Sequence, residues 1–184
     1  MRLASLLASR AKRRYSKRQK LAALLLGAAA YGVLIPPAML YLSLMLDEAL
    51  DIELELWPFN VILAVPLLAI GIAFMLWATW AQWSVGKGTP VPAVPTQKLV
   101  VTGPYRYCRN PMLFGLALYY SGLALLASSF SGVALTALIV ALFVLYVRLV
   151  EEKELEMRFG EKYLRYKERT PFIIPRPCRR AHGH

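Results

Sequence analysis

The chain has 184 residues, of which 58% are hydrophobic, and carries a formal charge of +11 from 22 Lys and Arg against 11 Asp and Glu. So much apolar side chain exceeds what one soluble core of this length can bury, and the excess belongs in lipid. All 22 basic residues fall in three segments, 1–20, 84–110 and 148–184, a distribution that marks membrane topology and argues against a nucleic-acid partner.

Residues 1–20 hold eight of the basic residues, with Leu3, Leu6 and Leu7 at helical spacing ahead of Lys12, Arg13, Arg14, Lys17, Arg18 and Lys20. This composition predicts a short interfacial helix on the membrane surface. The first apolar run, residues 21–46, is long enough to cross a hydrocarbon core of about 30 Å and longer than the apolar stretch of a secretory signal, so it is read as a retained span. Pro36 and Pro37 remove amide donors near its middle and predict a kink there. The segment 47–56 then carries Asp47, Glu48, Asp51, Glu53 and Glu55 and no basic residue. The second run, residues 57–83, is also long enough to span with some tilt.

Residues 84–102 contain Gly86, Gly88, Pro90, Pro92 and Pro95, which resist helix and strand ladder alike, so an extended loop is expected. Gly103-Pro104 signals a turn, and Asn110 before Pro111 fits an N-cap and first helical residue of a third run, residues 111–127. A short link leads to the fourth run, residues 131–150. The two form an antiparallel hairpin in which Gly115, Gly122 and Gly132 offer points of close approach. Past Val150 the helix is expected to leave the membrane, and Leu155, Phe159, Tyr163 and Tyr166 continue a helical stripe interrupted near Gly160. Of these, Phe159, Tyr163 and Tyr166 are read as packing residues. Pro171, Pro175 and Pro177 predict an extended closing segment.

Because Lys and Arg gather on the cytoplasmic side of short loops, the charge pattern requires an even number of spans with both ends inside. The expected fold is all-α: a polytopic membrane protein with four transmembrane helices, N-in and C-in, and a cytoplasmic C-terminal helical segment. Along the chain this divides into a basic cytoplasmic interfacial segment (1–20), two membrane helices joined by an acidic external loop (21–83), a cytoplasmic loop, helical hairpin and C-terminal cap (84–177), and a basic tail (178–184).

Several chemistries are excluded. Cys108 and Cys178 have no neighbouring histidines and so make no zinc site, and the runs contain no histidine for haem. No metal is expected. Gly86-Lys87-Gly88 lacks the spacing of a phosphate loop, and no nucleophile has a credible histidine base. Polar groups instead concentrate at one membrane interface: Tyr105, Arg106, Tyr107, Arg109 and Asn110 before the third run, and Arg148, Glu151 and Glu152 after the fourth. A hairpin brings both sets to one end. The glutamates have an alternative partner in Arg148 at helical spacing, and Arg109 is also the kind of side chain that snorkels at a helix end.

The string Gly103-Pro104-Tyr105-Arg106-Tyr107-Cys108-Arg109-Asn110-Pro111-Met112, followed by Glu151-Glu152 and then Phe159-Gly160-Glu161-Lys162-Tyr163 with Tyr166, resembles the isoprenylcysteine carboxyl methyltransferases and their prokaryotic and phospholipid-methylating relatives. That resemblance implies S-adenosylmethionine as cofactor, held in a cytosolic pocket by Tyr105, Arg109, Asn110, Pro111, Met112, Glu151 and Glu152, with Arg109 and Glu151 in catalytic roles. It also implies a lipophilic or lipidated substrate drawn from the bilayer, bearing a carboxylate, amine or thiol, with membrane lipids as neighbours. Many members have His where Asn110 stands and Tyr where Leu113 stands. The form found here looks like a bacterial branch, so a bacterial or archaeal inner membrane with the active site facing the cytoplasm is expected. The competing expectation is a noncatalytic transporter subunit or assembly factor, against which stands the lack of ionisable residues in mid-span.

Overall fold

The computed structural model describes residues 15–176, and every regular element among them is a helix. The interfacial helix expected over residues 1–20 falls mainly outside the described residues, as does the basic tail 178–184. Lys17, Arg18 and Lys20 open the first long helix itself, α1 (Lys17–Ala49). Ser16 caps it: the Gln19 amide donates to Ser16 Oγ at 3.3 Å, and the Ser16 amide donates back to Gln19 Oε1 at 2.9 Å.

The remaining helices are α2 (Phe59–Ser84), α3 (Pro111–Leu126), α4 (Phe130–Phe159) and α5 (Glu161–Arg169). Three of these, α1, α2 and α4, are long and apolar enough to cross a membrane. The 16 residues of α3 rise about 24 Å, short of a hydrocarbon thickness of about 30 Å. The protein is an integral membrane protein, and its lipid-facing surface shows in the exposed Leu25, Leu26, Leu63, Leu76, Leu138 and Leu142.

The proline pair in α1 produces a wide turn over Ala29–Leu34, where the Ile35 amide reaches back to the Ala30 carbonyl. In that pattern the carbonyls of Tyr31 and Gly32 would take their bonds from Pro36 and Pro37, which have no N–H to give. Tyr120 and Tyr119 of α3 supply the missing donors, with hydroxyls 2.9 Å from the Tyr31 carbonyl and 3.4 Å from the Gly32 carbonyl. A backbone acceptor freed within lipid has to be satisfied by a neighbouring helix, and this pairing docks α1 on α3.

The glycines correct one expectation. Gly115 and Gly122 do not serve the α3–α4 hairpin; they face α2. A Cβ on Gly71 would sit 2.7 Å from the Gly115 carbonyl oxygen and one on Gly115 equally close to that of Gly71, so the two backbones touch at this crossing. Gly122 likewise has no room for a side chain against Leu68. With such contact on one side, α3 packs on α2 more tightly than on α4, to which it is tied by the link 127–129.

At that link Asp47, read as part of an acidic loop, lies on the last turn of α1 and is buried. Ser129 Oγ donates to its Oδ2 at 2.5 Å and the Ser131 amide to its Oδ1 at 2.9 Å. The carboxylate therefore sits at the start of α4, where free amides and the helix dipole favour negative charge. The chain leaves the opposite end of α4 through Gly160, whose φ of +50° suits a residue without Cβ, and turns into α5.

Candidate active site

Three stretches of irregular backbone converge on the far end of α4. Residues 85–102 form the expected loop, knitted by the Thr89 amide to the Val94 carbonyl at 3.0 Å and by the Gln97 amide to the Gly86 carbonyl at 2.6 Å. The Gly-Pro signal becomes a short 3-10 turn, Gly103–Arg106, entered through a φ of +61° at Gly103. The closing segment is clipped along residues 107–110. The Arg109 amide donates to the Pro171 carbonyl at 2.9 Å, that of Asn110 to Phe172 at 3.1 Å, and that of Arg176 to Tyr107 at 3.0 Å.

Asn110 corrects a second expectation. It does occupy the position before α3, with Pro111 first in the helix, but its side chain makes no capping bond. Asn110 Nδ2 instead donates to the Phe172 carbonyl at 2.9 Å, so the residue fastens the closing segment to the helix start.

A second wide turn, Val147–Glu151, interrupts α4 just where the apolar run ends, with the Glu152 amide bonded to the Val147 carbonyl. One extra residue in a turn rotates the face that follows by about 100°. Arg148 accordingly lies with its guanidinium carbon 4.8 Å above the Phe172 ring, and it pairs with neither glutamate. Glu152 meets Arg109, Nη1 to Oε1, at 2.5 Å, with both side chains about nine-tenths buried. Lys167 of α5 holds the other oxygen of Glu152 at 3.0 Å. The start of α3, the end of α4 and α5 are thus joined by one carboxylate.

Tyr105, Arg109, Asn110, Glu151 and Glu152 line one cleft, which opens to solvent at its mouth. Pro111 and Met112 are not in its wall. Pro111 is fully buried at the helix start, and Met112 packs on Ala78, Ala81, Val100 and Tyr105 behind it. The residues read as packing, Tyr163 and Tyr166, do line the cleft, while Phe159 does not. Tyr166 hydroxyl donates to the Tyr105 carbonyl at 2.7 Å, and Gln82 Nε2 donates to the Tyr105 hydroxyl. Burial holds the phenols of Tyr105, Tyr163 and Tyr166 well above their ordinary range, so all three stay neutral. Burial also pushes the Cys108 thiol up to about 11, which leaves it inert as a nucleophile.

The charges in the wall do not balance. Two arginines, Arg109 and Arg158, face three carboxylates, Glu151, Glu152 and Glu154. Arg109 takes Glu152 and Arg158 takes Glu154 at 2.6 Å. Glu151 is left with no hydrogen bond or ion pair among the described residues, and Nε of Arg109 is buried without an acceptor. A guest with a matching charge or acceptor would complete either group. Sequence reasoning missed Gln82, Glu154 and Arg158. The last two were visible as an acid and a base one helical turn apart, next to the glutamate pair; Gln82 left only the faint mark of one amide in the last turn of an apolar run.

Fold and site together define a helical membrane protein with an ionic cleft at one end of a helical hairpin. Residues 59–162 match the family model described as phospholipid methyltransferase. That is more than half of the chain, and the protein belongs to this family, which implies a membrane methyltransferase acting on lipid-type substrates. Comparison with the curated proteins gives no match.

Proposed function

We propose that the protein transfers a methyl group from S-adenosylmethionine to a nucleophile on a lipophilic acceptor at the cytoplasmic leaflet, with both chain ends and the cleft on the cytoplasmic side. What supports this reading is the unbalanced charge of the cleft: Glu151 stands unpaired beside the Arg109–Glu152 bridge, and the family supplies a cofactor whose formal charge is positive. Among the described residues, Arg109 and Arg158 of the basic segments 84–110 and 148–184 line the cleft, as expected of a cytoplasmic face.

The residues present fit such a cofactor. Glu151 would face the ammonium or sulfonium, Arg109 would face a carboxylate or ribose oxygen, and Tyr105 and Tyr163 offer neutral rings for an adenine or a cation. When bound, S-adenosylmethionine supplies a methyl group on a sulfonium that departs as a neutral thioether. The protein's own part is alignment and exclusion of water. The Arg109–Glu152–Lys167 chain ties the start of α3, α4 and α5 together, and the closing segment clipped to residues 107–110 holds Arg109 and Asn110 in the cleft wall. Where the acceptor is an amine, Glu151 would take the proton released from its nitrogen.

The reading is tested by incubating membranes that contain the protein with methyl-labelled S-adenosylmethionine and identifying the product. A labelled, lipid-extractable compound is expected with the wild type and in smaller amount with E151Q. No label in any extract, together with no thermal shift of the purified protein by S-adenosylhomocysteine, would overturn it.

A further inference from the structure

The loop 85–102 supplies a large part of the cleft wall through Thr89, Val91, Thr96 and Leu99, yet no regular element supports it. Its internal bonds, Thr89 to Val94 and Gln97 to Gly86, give it a shape without saying where that shape sits. Two side chains seat it. Lys20 Nζ of α1 donates to the Lys87 carbonyl at 2.5 Å, and nearby Gly27 leaves room for Val91, whose Cγ2 would lie 2.7 Å from a Cβ at that position. On the other flank Arg158 of α4 donates through Nη2 to the Thr96 carbonyl.

Arg158 is held for this contact. Its Nη1 meets Glu154 at 2.6 Å, one turn earlier on the same helix, and its guanidinium carbon lies 4.8 Å over the Phe159 ring. The Arg158 and Glu154 side chains retain 10% and 6% of their exposure, so the pair is no ordinary surface bridge. With its charge already answered by Glu154, this arginine has little left to offer an anionic ligand.

We propose that Arg158 is a positioning residue: with Glu154 it latches the loop at Thr96 onto α4, closing the cleft wall around the adenosine part of the cofactor. The proposal rests on the reading of the cleft given above. It differs from a ligand role in a way that can be measured, because a latch serves any molecule that needs the wall, whether or not it carries a carboxylate.

The test uses the full-length protein in detergent with two probes, S-adenosylhomocysteine and 5′-methylthioadenosine, which has the nucleoside without the amino acid. R158A is expected to weaken both by a similar factor, about tenfold for one charge-assisted bond, and R158K by less, since a lysine can meet either Glu154 or the Thr96 carbonyl. In the absence of ligand, amide exchange across residues 86–98 is expected to speed up in R158A while that of α2 and α3 is unchanged. Loss confined to S-adenosylhomocysteine would make Arg158 a ligand for the amino acid and overturn the latch. So would unchanged affinity for both probes. If the wild type binds neither probe, the methyltransferase reading falls, and the exchange measurement decides the latch alone: unaltered exchange in the loop, or acceleration throughout the helices, rejects it.

Discussion

A single buried carboxylate at the start of α4 and a group of three toward its other end are built in opposite ways. At the start, Asp47 has both oxygens occupied, by a serine hydroxyl and a helix amide, and its charge sits where the helix dipole favours it. At the other end Glu151 has neither a partner nor a favourable dipole, with Glu152 and Glu154 close by. One carboxylate is satisfied by the chain alone, and the other is left for something the chain does not contain. The contrast separates a residue that holds helices together from one placed to receive a guest.

Substitutions can break the contrast in a definite order. The largest effect is expected from E152A, which strands Arg109 in a buried setting. Its cost should be about 3–5 kcal/mol, read as a fall in thermal midpoint in detergent, with binding of S-adenosylhomocysteine lost as well. D47A comes next. It leaves the Ser129 hydroxyl and the Ser131 amide without an acceptor at a cost of about 2–3 kcal/mol, while the affinity of the protein that remains folded should not change. E151Q should do the reverse: no loss of thermal stability, and affinity for S-adenosylmethionine lower by about tenfold in calorimetry. A destabilised E151Q, or a D47A with weakened binding, would erase the distinction between the two ends. K167A should matter least, at about 0–1 kcal/mol, because that side chain is 36% exposed and Arg109 still holds Glu152.

Much of this architecture was legible in the sequence, because lipid imposes a simple rule on long apolar runs and a short link forces a hairpin. The meeting of Arg109 with Glu152 followed from the same connectivity, as did the break at Gly160. What could not be read were partners chosen by tertiary packing. Asn110 carries the signature of a helix cap, but Phe172 offers its side chain a better acceptor once the closing segment lies alongside. Gly115 and Gly122 sit in a hairpin by sequence, yet a glycine serves whichever backbone comes nearest, and that is α2. Asp47 looked like a loop acid because nothing local shows that Ser129 and Ser131 will come to it from more than 80 positions away. The wide turn at Val147–Glu151 has no residue signature, and it is this turn that sends Arg148 to Phe172 and Glu152 to Arg109.

The tyrosine contacts to α1 have a consequence for how freely this sequence can drift. The first helix lies outside the stretch matched by the family, and it is gripped through main-chain oxygens at Tyr31 and Gly32, atoms that every amino acid provides. The two hydrogen bonds survive exchange of the side chains at those sites, provided the prolines that expose the oxygens and the hydroxyls that take them are kept, and only the ring of Tyr31, set edge-on against Phe143, adds a contact of its own. An accessory helix recruited in this manner can be retuned to a different bilayer while its seat stays where it was.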